Sequence, residues 1–280
     1  MPELPEVETV CRGLRAGLAG RTLVRVEQRR PDLRIPLPDR FAERLAGKRV
    51  VGVRRRAKFV LIELDDGAVL IVHLGMSGRL VLGRTDDARP PERHDHVVLE
   101  TDDGVRLVFN DARRFGLMAL ADGETLDRHP LLARLGPEPL ADDFTGPYLA
   151  AALAGRRTPI KTALLDQRLV AGIGNIYACE ALYRAALSPR RKAATVTGRR
   201  AARLVEAIKA VLQEAIRAGG ASLRDYVQAS GELGYFQHRF AVYGREGLPC
   251  PDGPCDPECG GVRRLSQAGR ATFYCRRRQR

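Results

Sequence analysis

The chain has 280 residues, 44% of them hydrophobic, and a formal net charge of +13 from 47 Lys and Arg against 34 Asp and Glu. This composition allows two packed domains and excludes a chain that is disordered throughout. The cationic excess favours a polyanionic partner such as nucleic acid, because clustered cations release the counterions of a phosphate backbone. No run approaches the roughly 18 apolar residues of a membrane helix, and the opening sequence MPELPEVETV lacks the features of a signal peptide, so we expect a cytoplasmic protein.

The first part of the chain predicts one helix followed by short strands. Apolar residues recur at helical spacing over residues 3–18. Over residues 22–120, short apolar runs alternate with polar turns, which predicts a β-sandwich or barrel with one short helix at about residues 39–46. The strand-like runs are TLVRVE, RVVGVRRR, KFVLIEL, AVLIVHL, RLVLG, HVVLE, VRLVFN and GLMAL.

The second part of the chain is helical in pattern, which makes the expected fold class α+β. Residues 134–147 are rich in Pro, Gly and acidic residues, and they predict a domain boundary. The C-terminal segment is rich in Gly, Pro and Cys and contains one strand-like run, RATFYC. The predicted division is an N-terminal β-sandwich domain at 1–133, a linker at 134–147, a helical domain at 148–240 and a C-terminal segment at 241–280.

Four of the six cysteines lie in the last 31 residues, at Cys250, Cys255, Cys259 and Cys275. In a reducing cytoplasm such a cluster indicates a metal site rather than disulfides. Four thiolates can hold one tetrahedral Zn²⁺. A C-terminal segment that folds without metal remains the alternative.

The first residues can supply a nucleophile. A small residue at Pro2 permits removal of Met1, which would leave a secondary amine. Free α-amino groups titrate near pH ~8, so part of the population is neutral at physiological pH. Such an amine can attack a sugar carbon and form an iminium ion, which acidifies the neighbouring C2′ hydrogens and permits β-elimination. Glu3 could shuttle protons beside it, or serve only to complement the helix dipole.

Eight segments, in order, resemble signature segments of the formamidopyrimidine-DNA glycosylase family. They are MPELPEVETV, RRRAKFVLIEL, HLGMSGRL, HDHV, FNDARRFG, AGIGNIYACEAL, GELGYFQ and RATFYC. The resemblance spans nearly the whole chain. It implies an N-terminal β-sandwich with flanking helices, then a helical domain with a helix–two-turn–helix element and a zinc-finger-like β-hairpin. It also implies that duplex DNA lies in a basic cleft between the domains.

The resemblance implies a bifunctional DNA glycosylase/AP lyase that removes oxidised purines, namely 8-oxoguanine and formamidopyrimidines, in base excision repair. By this resemblance Pro2 attacks C1′ of the flipped nucleotide and Glu3 manages the protons. Lys58 contacts the lesion phosphate and assists elimination, which proceeds by β and then δ steps. We expect a monomer that binds double-stranded DNA containing oxidised bases.

Several further residues match the DNA contacts of the family. Met76, Arg113 and Phe115 match the residues that fill the space left by a flipped base and contact the orphaned cytosine. Asn175 falls where a glycine-rich turn meets a helix N-terminus, a suitable place for a phosphate. Arg270 matches an arginine that contacts the phosphates beside the lesion.

The histidines of HLGMSGRL and HDHV allow two interpretations. His94 is predicted to contact DNA. By residue type and spacing alone, His73, His94 and His96 favour structural hydrogen bonds over a metal site.

The sequence departs from the family pattern at two places. In the predicted lesion-capping loop, residues 221–236, Leu233 stands where the family commonly has Pro. Arg278 stands where the second thiol pair should close, while an insertion supplies Cys255 and Cys259 as competing partners for Cys250. We therefore expect one Zn²⁺ per chain on the four thiols of the C-terminal cluster.

Two rival functions remain. An endonuclease VIII-type glycosylase would remove oxidised pyrimidines, and the residues that match the intercalating set favour the purine branch. A non-catalytic damage-binding paralogue would lack the reactive groups, whereas Pro2, Glu3 and Lys58 are all present.

Overall fold

The computed structural model describes residues 1–86, 90, 92–222, 228–229, 232–251 and 259–280. The chain forms two compact units. Residues 1–133 and 218–237 make the first unit, and residues 134–217 and 238–280 make the second. Over the described ranges, no helix combines the length and the apolar character needed to cross a membrane.

The first unit is a β-sandwich with flanking helices. Its strands form two four-stranded antiparallel sheets, in the orders β1-β6-β7-β5 and β2-β3-β4-β8. All eight strand-like runs of the sequence are strands, and the α+β prediction is confirmed. The elements are α1 (Leu4–Leu18), β1 (Leu23–Gln28), α2 (Phe41–Leu45), β2 (Val50–Arg56), β3 (Phe59–Leu64), β4 (Ala68–His73), β5 (Arg79–Arg84), β6 (Asp95–Thr101), β7 (Val105–Asn110) and β8 (Leu117–Asp122).

The core of the first unit lies between the two sheets and beneath α1. Alternate residues of each strand point to the same face of a sheet, so every second side chain along a strand can enter the core. Ile62 of β3 and Phe109 of β7 belong to this core from opposite sheets. The inner face of α1 contributes Val7, Val10, Cys11, Leu14 and Leu18, all at most 1% exposed. Full burial of one such aliphatic side chain contributes about 1.5–3 kcal/mol.

Residues 218–237 pack on the first unit, although the sequence places them inside the predicted helical domain at 148–240. The Ala221 N–H donates to Glu6 Oε1 at 2.9 Å, and the Leu82 N–H donates to the Ala229 carbonyl at 2.8 Å. The local apolar pattern cannot reveal this placement, because it depends on contacts with residues far away in the chain.

The second unit is mainly helical and ends in a hairpin. Two short helices, α4 and α5, are joined by the turns of residues 165–174, as the predicted helix–two-turn–helix requires. The Glu180 carboxylate on α5 accepts N–H bonds from Ala241, Val242 and Tyr243 at 2.8–3.0 Å, which fixes the segment before the hairpin. The elements are α3 (Gly146–Leu153), α4 (Ile160–Leu164), α5 (Asn175–Arg184), α6 (Gly198–Arg217), β9 (Val262–Gln267) and β10 (Arg270–Cys275).

Candidate active site

Helix α1 lies along β2 so that its first residues point toward the β2–β3 turn. Three contacts show the direction. Arg15 Nε donates to the Val53 carbonyl at 2.9 Å, Cys11 Sγ donates to the Arg54 carbonyl at 3.5 Å, and Arg55 Nε donates to Glu8 Oε2 at 3.1 Å. Residues earlier in α1 therefore contact residues later in β2. The start of α1 therefore approaches the end of the sheet where β2 turns into β3.

Pro2 and Glu3 lie at this buried start of α1, and Lys58 lies in the β2–β3 turn. The side chains of Glu3 and Lys58 are 3% and 6% exposed. Ala57, beside Lys58, has a φ of +53°, so a two-residue turn separates the strands and directs Lys58. An amine precursor, a carboxylate and an ammonium group are thus gathered at one end of the sandwich.

Glu6 joins the start of α1 to the segment of residues 218–237. Its Oε2 accepts the Glu3 N–H at 2.8 Å within a capping box, and its Oε1 accepts the Ala221 N–H at 2.9 Å. A capping box satisfies backbone donors that the first helical turn leaves unpaired. The second of these partners lies 215 residues away in the chain, which no local pattern in the sequence indicates.

His73 ends strand β4 directly opposite Phe59, the residue after Lys58. Its Nδ1 accepts the Gly75 N–H at 3.0 Å. Burial, together with the smaller effect of the charges of Lys58 and Arg34, lowers the pKa of His73 to about 4. The imidazole is therefore neutral at physiological pH, with its proton on Nε2, and it fixes the turn that leads to Met76.

The three residues of the predicted intercalating set, Met76, Arg113 and Phe115, lie on two adjoining loops. A Cβ on Gly75 would lie 2.2 Å from the Phe115 backbone, so only glycine permits this approach of the two loops. The Arg113 guanidinium lies over the Phe115 ring at 4.7 Å. Met76 and Phe115 are 41% and 43% exposed, so the two adjoining loops present apolar side chains to solvent.

Asp111 holds these two loops together, and sequence reasoning did not single it out. Its Oδ1 accepts the Ser77 hydroxyl at 2.5 Å and its Oδ2 accepts the Gly116 N–H at 2.8 Å. The Arg113 N–H contacts both Ser77 Oγ and Asp111 Oδ1. The carboxylate is fully buried. Its position in the FNDARRFG segment, directly after β7, is the one feature of the sequence that could have identified it.

The two histidines of HDHV differ in environment. His96 is 3% exposed and its Nε2 donates to the Asp111 carbonyl at 2.8 Å, which is a structural hydrogen bond. His94 is partly exposed, and its carbonyl accepts the Asp111 N–H at 3.0 Å. Within the described ranges, neither of them belongs to a group that could hold a metal.

Asn175 begins α5 in the second unit, after Gly174 at the N-cap. Its Oδ1 accepts from Lys161 Nζ at 2.5 Å, and its Nδ2 donates to the Ala271 carbonyl at 2.9 Å. The side chain therefore connects α4, α5 and the hairpin. Lys161, 0% exposed, was not identified from the sequence; its position in the apolar run of α4 concealed it.

Arg270 begins β10 directly after the hairpin turn and is exposed. The turn residues, Ala268 and Gly269, have φ values of +48° and +71°. Positive φ at both positions is the requirement of a type I′ turn, which matches the twist of the two strands. The turn therefore presents Arg270 at the tip of a regular hairpin.

Three of the four predicted metal ligands come together. The Sγ atoms of Cys250, Cys259 and Cys275 all lie within 4.8 Å of one another. Two backbone N–H groups point at sulfur, from Gly261 to Cys259 at 3.3 Å and from Arg278 to Cys275 at 3.4 Å. Clustered thiols with N–H donors suit a thiolate-bound Zn²⁺. Cys255 lies outside the described residues.

The Arg278 side chain packs on α5. Its guanidinium lies over the Tyr183 ring at 4.6 Å, and its Nε donates to the Tyr183 carbonyl at 3.2 Å. Leu233, the other departure from the family pattern, is 53% exposed, and its carbonyl accepts from Gln228 Nε2 at 3.2 Å. Residues 223–227 and 230–231 of the predicted lesion-capping loop lie outside the described residues.

Comparison with known proteins identifies the family. Residues 1–118 match the model of the formamidopyrimidine-DNA glycosylase N-terminal domain, and residues 135–227 match that of its H2TH domain. The chain is 61% identical to the formamidopyrimidine-DNA glycosylase of Rhodospirillum centenum over 100% of both chains. It is 58% identical to the protein of that name from Cereibacter sphaeroides, over 98% of both.

Solved structures agree. The MutM (Fpg) protein of Thermus thermophilus is 44% identical, with a TM-score of 0.86 over 99% of this chain and 98% of that one. Lactococcus lactis Fpg, in complex with DNA containing N7-benzyl-Fapy-dG, is 33% identical with a TM-score of 0.89 over 100% of both. These matches define an enzyme of the DNA glycosylase class. The chain belongs to the formamidopyrimidine-DNA glycosylase family, which confirms the resemblance.

Proposed function

We propose that this chain cleaves the glycosidic bond of damaged nucleotides through a Schiff base on Pro2 and then breaks the DNA strand. The chain is a DNA glycosylase that acts on oxidised purines in base excision repair. The observation that carries the proposed mechanism is the position of Pro2 and Glu3 at the buried start of α1, the end of that helix that approaches the turn carrying Lys58.

The reaction begins after Met1 is removed. The Pro2 nitrogen attacks C1′ and the C1′–N9 bond breaks as the base leaves. The attacking amine gives up its proton, the C1′–O4′ bond breaks, and Glu3 delivers a proton to O4′, so that the opened sugar stays joined to Pro2 as an iminium. The resulting iminium withdraws electrons from C2′, so loss of a C2′ proton expels the 3′ phosphate by β-elimination. A second elimination expels the 5′ phosphate, and hydrolysis releases the sugar fragment from Pro2. The Lys58 ammonium contacts the lesion phosphate and stabilises the charge that develops as each phosphate leaves.

The exposed apolar side chains of Met76 and Phe115 support a role as wedges in the duplex. A base that reacts must leave the stack, and the vacated space has to be filled. The Arg113 side chain, which stacks on Phe115, then bonds the orphaned cytosine. His94, on the neighbouring strand end, contacts the DNA backbone.

In the second unit, Asn175 and Arg270 are the proposed phosphate contacts. The start of α5 offers backbone N–H groups to an anion, and the hairpin tip offers an exposed guanidinium. Three thiols of the second unit lie within 4.8 Å of one another, which supports one Zn²⁺ per chain with Cys255 as the fourth ligand. Zn²⁺ would supply rigidity to the hairpin and no reactive group.

We further propose that the chain acts as a monomer on double-stranded DNA, in the cytoplasm. Covalent trapping with borohydride tests the mechanism. A duplex with 8-oxoguanine should give a reduced protein–DNA adduct, and Pro2→Gly should abolish it. An N-terminal tag that is not removed should also block it. A trapped adduct with Met1 still attached would overturn the Pro2 mechanism, and preferential trapping of thymine glycol would favour the endonuclease VIII type.

A further inference from the structure

A basic surface of the second unit is made of residues that have no role in the proposed reaction. Residues 181–205 contain seven Lys and Arg residues and no Asp or Glu. Five of these cations are exposed, and a sixth exposed cation joins them from the loop between α3 and α4. We call this set the basic ribbon. Its members are Arg157, Arg190, Lys192, Arg199, Arg200 and Arg203.

Backbone pairing brings two distant parts of the ribbon together. The Ile160 N–H donates to the Arg191 carbonyl at 2.7 Å, and Pro159 and Lys192 form an antiparallel bridge. Residues 156–160 and 190–194 therefore run side by side. This pairing sets the exposed Arg157 close to the exposed Lys192, although they are far apart in sequence.

The first turn of α6 extends the ribbon. Arg199 and Arg203 are four residues apart and so lie on one face of the helix. The Thr195 N–H donates to the Lys192 carbonyl at 3.0 Å, and Arg200 Nη1 donates to the Thr195 carbonyl at 3.5 Å. The helical cations thus continue directly from those of the paired segment.

Within the part of the chain that the structure describes, no carboxylate neutralises a charge of the ribbon. Among the described residues, none of its six members forms an ion pair, whereas the neighbouring Arg156 pairs with Asp166 at 3.2 Å. Six like charges held together are unfavourable in isolation. Such an arrangement is compensated when a polyanion binds, because its phosphates take the place of free counterions.

The ribbon adjoins the hairpin that presents Arg270. Gln267, which pairs with Arg270 across the hairpin turn, donates from Nε2 to the Pro189 carbonyl at 3.2 Å. Pro189 is followed directly by Arg190. A duplex whose backbone reaches the hairpin tip is therefore close to Arg190 of the ribbon.

We propose that the basic ribbon binds the phosphate backbone of duplex DNA that flanks the lesion, beyond the hairpin. The inference rests on the proposed contact of Arg270 with DNA. The ribbon reads no base and performs no chemistry. It adds phosphate contacts that lengthen the footprint of the enzyme and hold it on undamaged DNA.

The test measures equilibrium binding to undamaged duplexes of two lengths as a function of salt. A variant with Arg157→Ser, Lys192→Ser, Arg199→Ser and Arg203→Ser loses four ribbon charges. With a duplex of about 30 base pairs, the slope of log affinity against log salt should fall by about 3 to 4, since each phosphate contact contributes roughly 0.9. With about 12 base pairs, the variant and the unmodified protein should agree.

A matched control removes four exposed arginines of the first unit, by Arg25→Ser, Arg40→Ser, Arg44→Ser and Arg128→Ser. It has the same net charge and should keep the original slope. A second variant, with Arg157→Lys, Arg199→Lys and Arg203→Lys, should also keep it. Thermal unfolding verifies that each variant is folded.

Three results would overturn the proposal. An unchanged slope in the ribbon variant would leave the ribbon as a solvated surface or a site for an acidic protein. An equal loss in the control would show a general charge effect. An equal loss on both duplexes would show that the ribbon does not extend the footprint beyond the length of the shorter duplex. Because undamaged DNA is used, these outcomes are independent of borohydride trapping, which tests the proposed function.

Discussion

The Asp111 carboxylate accepts the Ser77 hydroxyl at 2.5 Å, across 34 residues of sequence. This buried contact fixes the loop of Met76 against the loop of Arg113 and Phe115. The relative position of Met76 and Phe115, the side chains proposed to enter the duplex, therefore depends on the Asp111 carboxylate and its hydrogen-bond donors. A buried acceptor with charge forms stronger hydrogen bonds than a neutral one, and it costs more when its partners change.

Asp111→Asn should loosen the wedge while leaving the reactive groups in place. The amide places an N–H where the carboxylate accepts, so at least one of the Ser77 and Gly116 donors loses its partner. We expect the free energy of unfolding to fall by about 1–3 kcal/mol. We also expect weaker binding to duplexes that contain a lesion. Chemical denaturation and equilibrium binding measure these effects. Asp127→Asn, an exposed control, should change neither, and a normal Asp111→Asn protein would contradict the positioning role.

Arg113→Ala tests the contact with the opposite base. Loss of one good base contact should reduce the preference for cytosine over adenine opposite 8-oxoguanine by about 1–3 kcal/mol. The measurement is the ratio of excision rates on the two duplexes. Arg114→Ala removes the same charge from the neighbouring exposed position and should leave the ratio unchanged. The assignment is wrong if both variants retain the original ratio.

His73 should make the first unit sensitive to acid. Burial lowers its pKa to about 4 from the usual value near 6.5, so the unfolded chain takes up a proton at a higher pH than the folded protein does. The contribution of neutral His73 to the free energy of unfolding is complete above pH ~6.5. It is lost as the pH falls toward 4, and the loss is at most about 3 kcal/mol.

Thermal unfolding between pH 7 and pH 4.5 measures this effect. His73→Gln has no titrating ring, so its stability should fall less over that range than the stability of the unmodified protein. His94→Gln is the control, since His94 takes no part in the Gly75 contact, and its pH profile should match the original. Parallel profiles for all three proteins would contradict the assignment.

Zinc content tests the C-terminal cluster. We expect one Zn²⁺ per purified chain, bound less tightly in Cys255→Ser and Cys259→Ser than in the control Cys11→Ser. Removal of zinc should weaken DNA binding, since the hairpin that presents Arg270 loses its support. The chemistry of Pro2 should remain possible.

Two outcomes bear on the ligand set separately. A zinc content near zero together with full DNA affinity would mean that the hairpin folds without metal. Unchanged zinc affinity in Cys255→Ser would mean that the site exists and that Cys255 is not a ligand.

The sequence alone determined the features that depend on near neighbours. All eight strands of the sandwich were predicted, because period-two alternation is a local consequence of the pleated backbone. The helix over 3–18 and the start of α5 at Asn175 followed from local apolar spacing and from a glycine-rich turn. The family, and with it the candidate site at Pro2, Glu3 and Lys58, followed from short motifs in order.

Only the tertiary structure decided features that join distant segments. The placement of residues 218–237 on the first unit depends on the bond between Ala221 and Glu6, which are 215 residues apart. The role of Asp111 depends on Ser77, and the position of Arg278 depends on the ring of Tyr183. In each case a polar group was visible in the sequence. Its partner is fixed by the packing of sheets and helices, and no local periodicity encodes that packing.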